Sequence, residues 1–165
     1  VKAHFSLALV LPLLLGSPQT AEATEVQPFV RGSWQAIRAA HDQRPTIIHI
    51  WGLTCGPCRV EMPEWGKLLE EGPRIDLVTI HAERLPPQPD LVREMLANAG
   101  LLSAENWAFA DSFVQRLRHE IDPGWQGELP VTFLIGRDGA KETIVGPADL
   151  GIVRKWIEAQ ARSPE

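Results

Sequence analysis

The chain contains two cysteines, three positions apart in Cys55-Gly56-Pro57-Cys58. This spacing lets the two thiols close one small disulfide. A purely structural bridge here would close a very short loop and stabilise little. Half of a zinc site is the other bland alternative, but zinc needs more ligands and no second cysteine pair exists. The pair therefore reads as redox chemistry, an exchange of electrons with other disulfides. If Pro57 opens a helix, its missing N–H costs nothing, because the first N–H groups of a helix have no partner. Cys55 then lies at the positive end of that helix, where a thiolate is stabilised and its pKa falls from ~8.5 toward 7 or below.

The flanking elements must place that pair. Thr46-Ile47-Ile48-His49-Ile50-Trp51 is β-branched and mostly apolar, the pattern of a central strand buried on both faces. The cysteines follow at a strand-to-helix turn, and a helix is expected from about Cys55 to Glu71, kinked at Pro63. Upstream, Ser33 is expected to cap a helix through about Ala40, after a lead-in with an edge strand over Thr24 to Arg31. Downstream, the pattern predicts a strand over Ile75 to His81, a proline-rich loop over Arg84 to Pro89 and a helix over Asp90 to Ala99. A short strand over Asn106 to Ala110, a helix over Ser112 to Ile121 and a strand over Val131 to Ile135 follow. Arg137-Asp138-Gly139 is a hairpin turn into a strand over Lys141 to Val145. Asp149 caps a last helix with Leu150, Val153, Trp156 and Ile157 on its apolar face. Strands alternating with helices, then a hairpin and a helix, imply an α/β layer structure with a mixed sheet. Such sheets carry their chemistry beyond the carboxyl ends of the strands, where the cysteines fall.

The first 23 residues read as a secretory signal. Lys2 supplies positive charge, and Phe5 to Leu15 is an apolar run shorter than the ~20 residues a membrane span needs. Pro12 interrupts that run, and Ala21-Glu22-Ala23 has the small-x-small cleavage pattern, so the expected cut follows Ala23. An uncleaved anchor is the alternative that the short run disfavours. Residues 24–165 then form one domain with one core. The net charge of −5 and the lack of a basic run argue against nucleic acid and anionic membrane as partners. Export puts the chain where disulfides persist, yet no cysteine is left for a structural one.

The run from Trp51 through Thr54, Cys55-Gly56-Pro57-Cys58 and Glu61 to Pro63 resembles the active-site pattern of the thioredoxin superfamily, and more closely that of the exported TlpA-like and ResA-like thiol-disulfide oxidoreductases. The likeness extends from Thr46 to the C-terminal helix and includes Gly127-Glu128-Leu129-Pro130-Val131-Thr132-Phe133-Leu134-Ile135 and Asp138-Gly139. It implies a thioredoxin-like fold, a mixed central sheet flanked by helices, with the TlpA-type insertion before the cis-proline half. One departure stands out: the family usually has Trp before the first cysteine, and here it is Thr54, whose hydroxyl is within reach of the Cys55 sulfur.

The resemblance also implies roles. Leu129-Pro130 matches the superfamily's cis-proline loop, which leaves the Leu129 backbone free to pair with an extended substrate; an ordinary strand-opening proline is the alternative. His49 occupies a position that holds a buried acid in thioredoxins. It is either a buried, neutral, hydrogen-bonded histidine or a proton acceptor for Cys58, since imidazole titrates near neutrality. Glu61, one helical turn after Cys58, matches an acid beside the thiols in the ResA-like branch; a solvated carboxylate is the alternative. Trp51, Thr54, Gly56, Pro57, Leu129 and Trp125 are expected to form the substrate groove, with Trp51 packed against the active site. His41, His81 and His119 are expected at the surface or as caps.

The implied activity is thiol-disulfide exchange, in the direction that reduces partner-protein disulfides. Oxidase or isomerase activity is the nearest alternative. A Cu(I) chaperone using the soft thiolates is an alternative of a different class, and a non-catalytic binding module a third. The expected cofactor is none beyond the Cys55–Cys58 disulfide itself, with no metal. The expected partners are a disulfide-containing protein substrate and an upstream thiol-electron donor, for which a membrane-embedded carrier is a candidate, with the chain acting as a monomer.

Overall fold

The computed structural model describes residues 25–83 and 88–162. The expected signal segment, 1–23, and most of the proline-rich loop lie outside them. The elements run β1 (Gln27–Phe29), α1 (Ser33–Ala40), β2 (Thr46–Trp51), α2 (Gly56–Glu70), β3 (Asp76–His81), α3 (Pro89–Asn98), β4 (Glu105–Phe109), α4 (Val114–Ile121), β5 (Val131–Ile135), β6 (Lys141–Val145) and α5 (Leu150–Arg162). The strands form one sheet in the order β1-β4-β3-β2-β5-β6. The first four are mutually parallel, and β5 and β6 add antiparallel to β2 and to each other.

β2 is buried along its whole length, as a β-branched run covered on both faces must be. Its alternation sorts the core into two layers. Ile47 and Trp51 face a cluster with Cys58, Met62 and Trp65 of α2, Leu96 of α3 and Val153 of α5. Ile48 and Ile50 face the opposite cluster with Ile37 of α1, Leu117 of α4 and Phe133 of β5. His49 shares the parity of Ile47 and Trp51, and so the layer of α2. That helix approaches the end of α3 so closely that a Cβ on Gly66 would lie 1.7 Å from the Ala99 carbonyl oxygen.

Two local expectations are corrected. Ser33 does not cap α1: Gly32 holds the cap position, and the Ser33 hydroxyl accepts the Val30 N–H at 3.0 Å instead. Proline opens α3 at Pro89 rather than ending a loop there, because the first helical positions need no N–H. Asp149 does cap α5, its carboxylate accepting the N–H groups of Gly151 at 2.8 Å and Ile152 at 3.3 Å.

Candidate active site

Trp51 ends β2, and the chain turns at once. The Cys55 N–H donates to the Gly52 carbonyl at 3.3 Å, closing a turn over 52–55. Cys55 is the N-cap of α2 in extended conformation, and its sulfur accepts the Cys58 N–H at 3.2 Å. Gly56 and Pro57 occupy the first helical turn and are exposed. Cys55 and Cys58 are joined as a disulfide with Cα atoms 5.3 Å apart. Cys55 is partly exposed, whereas Cys58 has no exposed surface. One cysteine therefore meets solvent and the other lies behind it.

Beneath Cys58, α2 and the sheet meet in a polar cluster. The His49 Nδ1 lies 3.1 Å from the Thr132 hydroxyl, its cross-strand partner on β5. The His49 Nε2 faces Glu61 Oε1 at 3.3 Å, a contact whose two atoms have no well-formed hydrogen bond. The Trp65 ring lies 5.0 Å from the imidazole. The other Glu61 oxygen, Oε2, accepts the Ala148 N–H at 2.9 Å from the loop before α5. Burial raises the Glu61 carboxyl above the usual glutamate range, opposed by that amide and by the nearby Trp65 indole. Burial also pushes His49 down to about 3. Of the two readings of His49, a buried neutral histidine and a proton acceptor for Cys58, this lowering favours the first, since desolvation penalises the charged imidazole. His49 and Glu61, twelve positions apart in the chain, are brought together behind the helix that carries the cysteines.

The Leu129–Pro130 peptide bond is cis, and the Pro130 carbonyl accepts the Gly146 N–H at 2.9 Å. The last β2–β5 pair is Ile50 with Val131; one step further, Pro130 stands level with Trp51, at the end of β2 where the cysteine turn begins. Leu129 is partly buried and bridges both core layers. The two groove tryptophans lie deeper than expected. Trp51 is fully buried against the His81 ring, 5.1 Å away. Trp125 is buried in the layer of α1 and α4, its indole N–H donating to the Glu128 carbonyl at 2.9 Å. Each supports the surface from below instead of lining it.

Thr54 is exposed, but its hydroxyl does not turn to Cys55. It donates to Glu83 Oε1, the same oxygen that accepts the Thr54 N–H at 2.8 Å, while Glu83 Oε2 accepts the Leu53 N–H at 2.9 Å. Glu83 had no place in the sequence reading. The signal that points to it is position: two residues past β3, at the carboxyl end of the strand beside β2. His81, expected at the surface, is buried against Trp51. His41 is the C-cap of α1, and its side chain links Asp76 and Glu105, each at 2.8 Å.

The sheet order, the cis-proline and the cysteine pair at the head of α2 define a thioredoxin-like fold with a CXXC disulfide at its active-site helix. The chain is similar to the sporulation thiol-disulfide oxidoreductase A of Bacillus subtilis (strain 168), with 24% identity over 160 residues, covering 91% of this chain and 93% of that protein. The crystal structure of StoA from Bacillus subtilis superposes with a TM-score of 0.54 at 20% identity, over 70% of this chain and 83% of that one. A secreted Mycobacterium tuberculosis disulfide oxidoreductase homologous to E. coli DsbE gives a TM-score of 0.59 at 17% identity, over 73% of this chain and 85% of that one. No protein-family model matches the chain.

Proposed function

We propose that the protein is a thiol-disulfide oxidoreductase that reduces disulfides of partner proteins outside the cytoplasm. The observation that carries this reading is the asymmetry of the pair: Cys55 partly exposed at the cap of α2, and Cys58 fully buried one turn behind it. In the dithiol form, the helix terminus favours a Cys55 thiolate. That thiolate attacks one sulfur of the partner's disulfide; the partner's S–S bond breaks, a mixed disulfide forms, and the leaving sulfur takes up a proton. Cys58, once deprotonated, attacks Cys55, releases the partner's second thiol and closes the disulfide seen here. Two electrons pass to the partner, and an upstream thiol donor must restore them.

Glu61 is the group suited to take the Cys58 proton. Burial raises its carboxyl above the usual glutamate range, the direction that makes it a better proton acceptor, and it lies one helical turn from Cys58. His49 packs against that carboxyl, its Nε2 3.3 Å from Oε1, while the Ala148 N–H holds the other oxygen. Pro130 and the Leu129 backbone, level with the end of β2, would receive an extended substrate segment, with Thr54, Gly56 and Pro57 as the exposed rim. The exported location follows from Lys2, the Phe5 to Leu15 run and Ala21-Glu22-Ala23.

Two measurements test the proposal. The reduced protein should catalyse reduction of insulin disulfides, and Cys58→Ser should accumulate mixed disulfides through Cys55, identified by mass spectrometry. Absence of turnover, or bridges formed only through position 58 in the Cys55→Ser variant, would sink it.

A further inference from the structure

We propose that Glu83 is a positioning residue for the redox pair: its carboxylate fixes the turn that presents Cys55 and, as a negative charge held against that turn, tilts the pair toward the disulfide. The dithiol becomes a stronger electron donor as a result. This rests on the thiol-disulfide reading above and deepens it.

The geometry is specific. Both inner amides of the turn, Leu53 and Thr54, donate to the two oxygens of the one carboxylate, and the Thr54 hydroxyl adds a third donor. The outer edge of the turn is closed by Cys55 N–H on the Gly52 carbonyl. The carboxylate comes so close that a Cβ on Gly52 would lie 2.4 Å from Glu83 Oε1. The β3 chain is itself tied to β2 here, the Ala82 N–H donating to the Trp51 carbonyl at 2.9 Å. Glu83 is thus anchored on one strand and holds the exit of the next. Its side chain is only 7% exposed, so its charge is weakly screened by solvent.

Each donor committed to Glu83 is one that cannot solvate a thiolate at Cys55. The charged and titratable groups around the turn come from four elements. His81 on β3 lies 3.4 Å from Glu83 Oε2 without a well-formed hydrogen bond, and burial, against the opposing pull of Glu83, holds it below the ordinary histidine range, which disfavours a charge that would cancel the carboxylate. Arg59 of α2 and Glu94 of α3 line a cleft with Leu53 and Thr54. Asp111, after β4, lines a second cleft with His81 and Glu83. Among the described groups lining these two clefts, Arg59 opposes the negative sign, and it is exposed. Reduction of the protein disulfide by two glutathione thiols yields the dithiol and one glutathione disulfide; whenever Cys55 is then a thiolate, a second anion stands beside Glu83 and is disfavoured.

The test compares the purified protein with Glu83→Gln and Thr54→Val in glutathione buffers, with circular dichroism confirming the fold. Glu83→Gln should shift the equilibrium toward the dithiol by about threefold to tenfold and lower the pH midpoint of Cys55 alkylation by about half to one unit. Thr54→Val removes a hydroxyl but no charge and should shift the equilibrium less than about twofold and the pH midpoint less than about 0.3 unit. A folded Glu83→Gln variant with wild-type values for both overturns the proposal, and so does a Thr54→Val variant that reproduces the whole shift. If Glu83→Gln does not fold, amide hydrogen exchange of the oxidised wild-type protein decides: Leu53 and Thr54 must be protected in this exposed turn, and free exchange overturns the assignment. The proposed function fails separately. A protein that reduces no insulin yet shows these shifts keeps the role of Glu83, whereas active protein with an unmoved Glu83→Gln variant keeps the function and loses that role.

Discussion

At the scale of single residues, the two sulfurs differ because of what lies behind them. Cys55 caps a helix and meets solvent; Cys58 is sealed over a cluster in which one carboxylate oxygen, Glu61 Oε1, is buried without a hydrogen-bond donor. That orphaned oxygen costs stability, and a neutral amide costs less. Glu61→Gln should keep the acceptor for the Ala148 N–H and stabilise the oxidised protein by about 1 kcal/mol at neutral pH. The sign follows from linkage. A carboxyl raised in the native state binds its proton more tightly there, so wild-type stability is greatest below the unfolded glutamate value and falls as pH rises through the native value. Glu61→Gln should lack that fall, and urea midpoints across this pH range read it. The same variant should shift the pH dependence of insulin reduction; an unchanged profile would show that Glu61 is not the proton partner of Cys58. Strand alternation puts His49 on the face of β2 that meets α2, but the choice between its neutral and proton-accepting readings was not legible, because desolvation depends on Glu61, Trp65 and Thr132 arriving from distant parts of the chain.

At the scale of elements, the end of the sheet opposite the cysteines is fastened by His41. It follows α1 and bridges Asp76 at the start of β3 and Glu105 at the start of β4. The hydrogen bond to Glu105, then that to Asp76, raises His41 above its ordinary value against the opposing effect of burial. The protonated form is the one favoured in the native state. Its contribution is fully present below about 6.5, the unfolded value, and is lost as pH climbs through the raised native value. His41→Gln should therefore cost about 1 kcal/mol near pH 6 and little at alkaline pH, in parallel denaturant titrations. Gly66→Ala should cost about 3 kcal/mol at any pH, since the new methyl would overlap the Ala99 carbonyl; a variant with the wild-type denaturation midpoint would show that α2 and α3 can separate freely. The elements themselves were largely readable. β2 announces itself by its β-branched run, α5 by Asp149 and the spacing of Leu150, Val153, Trp156 and Ile157. What was not readable is which donors the caps and turns select. Ser33 and Thr54 both carry hydroxyls near helix starts, and both hydroxyls are engaged elsewhere, by Val30 and by Glu83, partners fixed by the chain's path in space. Glu83 escaped notice for the same reason: a lone carboxylate beside a proline-rich stretch has no local pattern that marks it.

At the scale of the whole molecule, the carboxyl ends of β2 and β3 and the cis-proline before β5 gather around one exchangeable disulfide, and the direction in which it runs is a question of charge balance. Strong oxidants of this chemistry owe their potential to a stabilised reduced form, at about −120 mV for DsbA against about −270 mV for thioredoxin. Here Gly56 and Pro57 bring neither a side-chain donor nor a positive charge to the sulfurs. The hydroxyl of Thr54, a side-chain donor next to Cys55 in the chain, is bound to Glu83 instead. Glu83 adds negative charge on the same side. The helix terminus, whose Cys58 N–H meets the Cys55 sulfur, favours the thiolate, and thioredoxin-like pairs share that feature while remaining reducing. The protein should therefore equilibrate below about −200 mV on the scale those two proteins set. Equilibration in glutathione and dithiothreitol buffers, with free thiols counted by mass after alkylation, measures this directly. A value near that of DsbA would mean that the reduced form is stabilised after all; the same cysteines would then insert disulfides into partners, and electrons would leave through the carrier that the reductase reading requires to supply them.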